Sequence, residues 1–552
     1  MTNANLLQQP NNSNPSSPAI PEKSQKYTPT KTDGIFAIFC YILSYLYVAW
    51  VFPFQPALST ALFILFFIIF GIFYGKTCGF RQTKTAIPYL ILLLLAAIRF
   101  IIFDNDFPAA LLFLFVSLMA VYWVCVFSRK RICLQQPEQK DNISSLLIWD
   151  LCNQLFLVAF VHFGSGFESL RSLFGKRNNS KTLVQVLIGI LICIPVSFVV
   201  IQLLCSADIV FHNLLDLLFA KIFSNIYISI LKFFLAIPIW CYLFGLFYGN
   251  FRNRTFHGIS NRQIETIRTG MRKMPKATAY TILTMLNLIY ILFFVSQSAY
   301  LFSGFSNLLP MGFTYAQYAR EGFFQLCAIA FINFMITWLS FIIIEKKDKN
   351  PKTLTIEIML LSCFTLLFIA TALSKMVMYI NFYGLTRLRI YTAWFMIVLF
   401  LLFLLIMAKS IFKFHISKAA FLIFCVSFFV LCFSNIDGMI AKYNITRFEK
   451  GTLSTFDAAD YKNLSAGAVP YLYEFYQNIS EDGAYIGTVA FETGNTDKGI
   501  LALSPEERIQ LKSDLKMILE RRDRSHTWYD GDFKTFNLQD YAAQKLVFDS
   551  KK

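Results

Sequence analysis

Residues 56–74 read PALSTALFILFFIIFGIFY, nineteen positions without a charge, and residues 75–84 continue GKTCGFRQTK. A run of about 18 or more apolar residues crosses a hydrocarbon core of roughly 30 Å as an α-helix. Inside lipid, only a helix or a closed barrel pairs every backbone donor and acceptor. The alternation of apolar and polar residues that marks a barrel strand is missing. The stretch is therefore a spanning helix, and Lys76, Arg81 and Lys84 behind it mark its cytoplasmic end, because basic residues accumulate on that side.

The same pattern repeats in both directions. Spans are predicted at 34–51, 56–74, 85–102, 107–127, 182–204, 226–248, 277–301, 321–344, 353–380, 388–408 and 416–434, about eleven in all. With the N-terminus inside, alternate loops carry the cations: Arg129, Lys130 and Arg131; Arg252 to Lys276; Lys346 to Lys352; Lys409, Lys413 and Lys418. The outer loops carry mainly Lys221, Arg320 and Arg387. An odd number of spans puts the C-terminus outside. The expected organisation is a disordered cytoplasmic tail (1–33), four spans (34–127), a basic cytoplasmic bridge (128–181), seven spans (182–434) and a soluble extracytoplasmic domain (435–552). The fold class is an all-α integral membrane protein with a small, mainly helical C-terminal domain.

Composition agrees. Only 15% of residues are charged, whereas soluble chains carry roughly a quarter. The net charge of +17 does not describe a nucleic-acid binder. Residues 435–552 hold 15 Lys or Arg against 18 Asp or Glu, so the positive excess lies in the loops between spans. No basic stripe interleaved with aromatics is present on the soluble part. The 12 Cys are dispersed, without a C-x-x-C pair, and read as small buried hydrophobes.

Two stretches interrupt the count. Residues 146–170 are apolar but carry Asp150, Asn153, Gln154, His162 and a Gly164-Ser165-Gly166 turn. As a span they would invert every later loop, so they read as an interfacial helix on the inner face. Residues 206–223 are likewise amphipathic, on the outer side. In the C-terminal domain, Ser504-Pro505-Glu506-Glu507 starts a helix that runs to about Arg522, with a capping Ser, Pro at the first position and acids near the positive dipole end. Further helices are expected at 469–477 and 538–547.

Signatures of catalysis are absent: no P-loop, no H-E-x-x-H, no G-x-S-x-G and no dinucleotide fingerprint. No cofactor is implied. Arg99, Lys232, Lys375 and Glu321 lie near predicted helix ends, where long basic side chains snorkel to the headgroups. Pro195 and Pro238 break two spans near mid-membrane, as packing kinks or as a discontinuous-helix site. Three constellations remain. Tyr315, Tyr318, Arg320 and Glu321 at the outer mouth of one span match Thr386, Arg387, Arg389 and Tyr391 entering another; they suit an ion pair between helix ends or a pocket for an anionic headgroup or sugar-phosphate. Asp208, His212 and Asp216, four apart, suit a divalent cation or, more plainly, the wet face of an interfacial helix. Asn287 and Asn333, near the middle of their spans, suit hydrogen bonds across helices.

The segments Tyr315-Ala-Gln-Tyr-Ala-Arg-Glu-Gly-Phe-Phe-Gln-Leu326 and Tyr383-Gly-Leu-Thr-Arg-Leu-Arg-Ile-Tyr391 resemble motifs of an uncharacterised family of multi-pass bacterial membrane proteins. So do Ser206-Ala-Asp-Ile-Val-Phe211 and Ala441-Lys-Tyr-Asn-Ile-Thr-Arg447. The family is the domain of unknown function numbered forty-one seventy-three, with a sister numbered forty-one fifty-three, and the likeness runs from about Leu183 to the C-terminus. It implies a bacterial cell-membrane location and draws attention to Arg320, Glu321, Thr386, Arg387 and Arg389. It implies no activity.

Three functions fit these observations. First comes a non-enzymatic sensor or scaffold that meets envelope components through its outer domain. A transporter or flippase for an anionic or lipid-linked solute is second. A membrane-embedded transferase using Glu321 as base is third. The bilayer itself is the one partner common to all three.

Overall fold

The computed structural model describes residues 28–51, 57–104, 106–130, 147–173, 224–252, 275–303, 315–343, 352–412, 414–453, 455–487, 499–525 and 535–549, with isolated positions between 189 and 270. Every named element among them is helical. The first group comprises α1 (Lys31–Leu46, prolonged by a π turn, Tyr47–Val51), α2 (Leu58–Thr77), α3 (Ile87–Ile102) and α4 (Asp106–Phe127). Next come α5 (Leu147–Cys152, continued by a π turn, Asn153–Val158, and by Ala159–Val161), α6 (Ser165–Leu173) and α7 (Ser224–Phe251). Then follow α8 (Lys276–Ser303), α9 (Tyr315–Ile343), α10 (Lys352–Tyr383), α11 (Arg387–Ile411) and α12 (Ile416–Phe433). A C-terminal unit holds α13 (Ile436–Glu449), α14 (Val469–Gln477), α15 (Pro505–Ser525) and α16 (Leu538–Asp549).

Nine helices among the described residues are long and apolar enough to cross a bilayer: α1, α2, α4 and α7 to α12. The expected span 85–102 is the shorter α3 of 16 residues, and 182–204 lies largely outside the described residues. Large apolar side chains face outward along these helices, including Phe73, Leu114, Leu292 and Val295. Water would not tolerate such patches, whereas lipid tails do. The chain is thus a multi-pass, all-α membrane protein.

Two apolar cores hold the spans. One joins α1 to α7 with the end of α12, around Trp123, Phe244 and Phe247. The other joins α8 to α11, around Phe368 and Phe403. A third core fills the C-terminal unit and reaches the start of α11 through Leu385, Ile390 and Tyr391.

Helix α1 begins at Lys31, three residues earlier than the sequence suggested, because Thr30 and Asp33 form a reciprocal cap. Buried Asp33 also accepts from the Tyr74 hydroxyl (3.1 Å) and Arg252 Nε (2.7 Å), stapling the start of α1 to the ends of α2 and α7.

The segment read as an interfacial helix is broken, and it buries its amides. Asn250 donates to Gln154 Oε1 (2.7 Å) and accepts from Ser128 (3.1 Å), so α5 starts beside the end of α7. Further along, Gly249 faces Val158 and His162, Gly245 faces the Ala159 carbonyl, and Gly166 faces Trp240. Helix α6 then returns: Ser172 donates to the Thr30 carbonyl (2.8 Å). The hairpin therefore enters and leaves at the same end of the bundle. It reaches eleven residues up α7, about 16 Å at 1.5 Å per residue. Ile148, Phe156, Phe160 and Val161 point outward, a polarity opposite to that of a helix floating with its polar side in water.

Candidate functional site

The opposite end of the bundle carries the C-terminal unit. Leu58 N donates to the Phe536 carbonyl (2.9 Å), Asp104 N to Gln539 Oε1 (3.1 Å) and Ala466 N to Asp104 Oδ2 (3.3 Å). Arg99, expected to snorkel, is instead fully buried here and donates through Nε to the Cys432 carbonyl (3.3 Å).

At the centre of this junction lies the turn between α10 and α11, which holds the second of the sequence motifs. Thr386 precedes α11 without a side-chain capping bond. Arg387 forms a two-pronged pair with Asp437 of α13, Nε to Oδ1 at 2.6 Å and Nη2 to Oδ2. Asp437 is fully buried and also accepts from Ser465 N (2.7 Å). Arg389 stacks on Tyr379, 4.1 Å from the ring centre, and donates to the carbonyls of Tyr383 (3.1 Å) and Gly384. Tyr391 packs on Phe107 at 4.7 Å, within electrostatic reach of Asp437, Arg387 and Arg99.

Gly384 has φ 79°, a region costly for any residue with a Cβ. The turn is gripped from α13 by Asn444, whose amide accepts from Leu385 N (2.6 Å) and donates to Leu385 O (2.9 Å). At the end of α13, burial raises the Glu449 carboxyl above its usual value, and Tyr485 donates to it.

Depth matching aligned Arg387 with Glu321; the structure gives it Asp437, fifty residues on. The side chains of 315–321, with Arg320 and Glu321, lie outside the described residues, as do Asp208, His212 and Asp216. Among the described residues, no group of three or more His, Cys, Asp and Glu converges as a metal site requires. Gly322, in the same motif as Arg320, has φ 136°, and a Cβ there would sit 2.6 Å from Lys375 Nζ. That lysine is buried inside the span, not turned to a headgroup.

The two asparagines belong to polar links across the second core. Asn287 donates to Glu357 Oε2 (2.7 Å), which Thr284 also reaches at Oε1 (3.0 Å). Asn333 accepts from Tyr290 (2.7 Å) and donates to Thr365 (2.9 Å). Sequence reading overlooked Glu357, Asp33 and Asp437. The signal for the first was its place in the second turn of a span, facing Asn287.

A family model described as a domain of unknown function, DUF4153, matches residues 90–475, well over half of the chain. The chain belongs to the DUF4153 family. This is the sister of the family whose motifs the sequence resembled, so the number forty-one seventy-three is corrected to forty-one fifty-three. The match starts earlier than Leu183 and ends inside α14. It therefore takes in both the α10–α11 turn and the helix that grips it. No curated protein and no solved structure matches this DUF4153 chain.

Proposed function

We propose that this DUF4153 protein is a non-enzymatic component of the cell envelope, whose C-terminal unit sits on the outer face as a fixed cap and presents a surface to envelope partners. The observation that carries the reading is buried Asp437, shared between Arg387 at the start of a span and the Ser465 backbone within the cap. A tethered domain on a loose linker has no need of such a junction, because domains joined by small polar interfaces move independently. A sensor or scaffold needs it, since force or occupancy at the cap must reach the spans.

Ile509 and Met517 are exposed apolar residues, eight apart on α15, at the surface of the cap. A photo-crosslinking residue at either position of the full chain in intact cells is expected to give a defined adduct with an envelope component. If only uncrosslinked protein is recovered from both positions, the reading fails.

A second reading, a transporter or flippase for an anionic or lipid-linked solute, is favoured by the α5–α6 hairpin. Irregular helices at membrane depth occur where they are buried in protein or line a polar cavity. Asn153 and Gln154 leave buried amide atoms without partners there. Equal redistribution of anionic lipid in proteoliposomes with and without the protein would exclude it.

A further inference from the structure

A cavity of about 640 Å³ opens beside the α10–α11 turn, between α13 and the last turn of α10. Asn381 lines it from the span; Lys442, Tyr443, Thr446, Arg447 and Lys450 line it from α13 and its C-cap. Positions 442, 446 and 450 follow at four-residue spacing, so they stack along one helix face. No acidic side chain lines the cavity among the described residues. Arg447 is held in place by Thr452, through Nε to Oγ1 (3.1 Å) and Nη2 to the carbonyl (3.0 Å), and through Nη1 to the Ile380 carbonyl (3.4 Å). Lys442 is exposed beside the Tyr471 ring at 5.9 Å.

Three cations around one opening give it a positive potential that favours an anion. The neutral lining adds hydroxyls from Tyr443 and Thr446 and the amide of Asn381. Those donors match an oxyanion with several acceptor oxygens better than a planar carboxylate. The apolar surroundings decide how the ligand arrives. Leu385 and Met439 line the cavity, and Phe382, Tyr383 and Leu388, close in sequence to Asn381 and Leu385, are exposed apolar residues at the level where the span ends, the place of an interfacial belt.

From this arrangement we infer that the groove binds a phosphate-bearing headgroup, a phosphate mono- or diester presented at the membrane edge. The site uses none of Arg320, Arg387 or Arg389, and it stands whether the cap scaffolds or the spans transport. A failed crosslink at Ile509 and Met517 leaves its test untouched.

The test is native mass spectrometry of the full chain released from nanodiscs of phosphatidylcholine containing a minor share of phosphatidylglycerol. Wild type is expected to retain phosphatidylglycerol in preference to phosphatidylcholine. Lys442→Gln/Lys450→Gln is expected to weaken that retention about twenty-five-fold, from roughly fivefold per surface cation. Arg447→Gln, checked for an unchanged unfolding temperature, should weaken it further. A parallel arm titrates glycerol phosphate and inorganic phosphate. Displacement of the retained lipid by millimolar glycerol phosphate would assign the groove to a soluble ester. Equal lipid retention by wild type and the double variant, with no binding of either soluble probe, overturns the inference.

Discussion

Asp437 shows how one side chain can set the place of a whole unit. It sits in the first turn of α13, directly after the span that delivers it, and takes a two-pronged bond from Arg387 and a backbone N–H from Ser465. A guanidinium fork and a carboxylate match in plane, so the pair fixes orientation as well as distance. Removing one member of a buried pair costs more than the pair is worth, because the other stays desolvated. Arg387→Ala, which leaves the fully buried Asp437 carboxylate without its cation, is therefore expected to destabilise the protein by about 3 kcal/mol, and Arg387→Lys by less, since charge remains while the fork is lost. Thermal unfolding of detergent-solubilised protein reads both. Additive losses in the Arg387→Ala/Asp437→Ala double variant would show that the two do not act together.

Helices α5 and α7 approach each other through glycine. Gly245 and Gly249 lie four apart on α7, the spacing that lets a second backbone come close, and α5 fills the space they leave. A Cβ on Gly245 would stand 2.5 Å from the Ala159 carbonyl oxygen, a backbone atom that cannot turn aside. Glycine to alanine inside a helix ordinarily gains up to about 1 kcal/mol. Here the overlap reverses the sign, and Gly245→Ala is expected to cost about 2 kcal/mol. At the hairpin tip, a Cβ added to Gly164 would meet nothing within 4 Å, so Gly164→Ala should be neutral. Equal unfolding temperatures for the two variants would remove the close contact. This element also marks where sequence reading stopped short. The charge pattern asked only that both ends of 146–170 lie on one side, and it supplied the surface helix as the simplest answer. Insertion depth depends on what the far side of α7 offers, and that is a fact of packing. Spans, by contrast, were legible because apolar length against a fixed lipid thickness is a local property. Arg387 and Arg389 were legible as a pair of cations entering α11, but Asp437 was not their obvious partner, since fifty residues and a span separate them.

Over the whole molecule, charge and contact divide the bundle in the same direction. Arg252 joins Asp33 at the start of α1 and the end of α2, where Lys76 projects, while Lys130 follows α4. Asn287, twelve residues into α8, meets Glu357 in the second turn of α10, which starts at Lys352, and antiparallel packing of α10, α11 and α12 places Lys409 and Lys418 at the Lys352 end too. At the other end, α3, α11 and α12 meet the cap through Asp104, Arg387 and Asn435. In the orientation proposed above, with the cap outside, the end bearing the lysines faces the cytoplasm, as the resistance of basic residues to translocation favours. Among the described residues the hairpin enters and leaves at one end of the bundle and does not cross it. In a chain whose native cysteines are replaced, Lys516→Cys on exposed α15 is expected to react with a membrane-impermeant maleimide in intact cells. Lys76→Cys, at the basic end, should react only after permeabilisation. Labelling of Lys76→Cys in sealed cells, with Lys516→Cys protected, would invert the molecule and move the phosphate groove to the cytoplasmic leaflet.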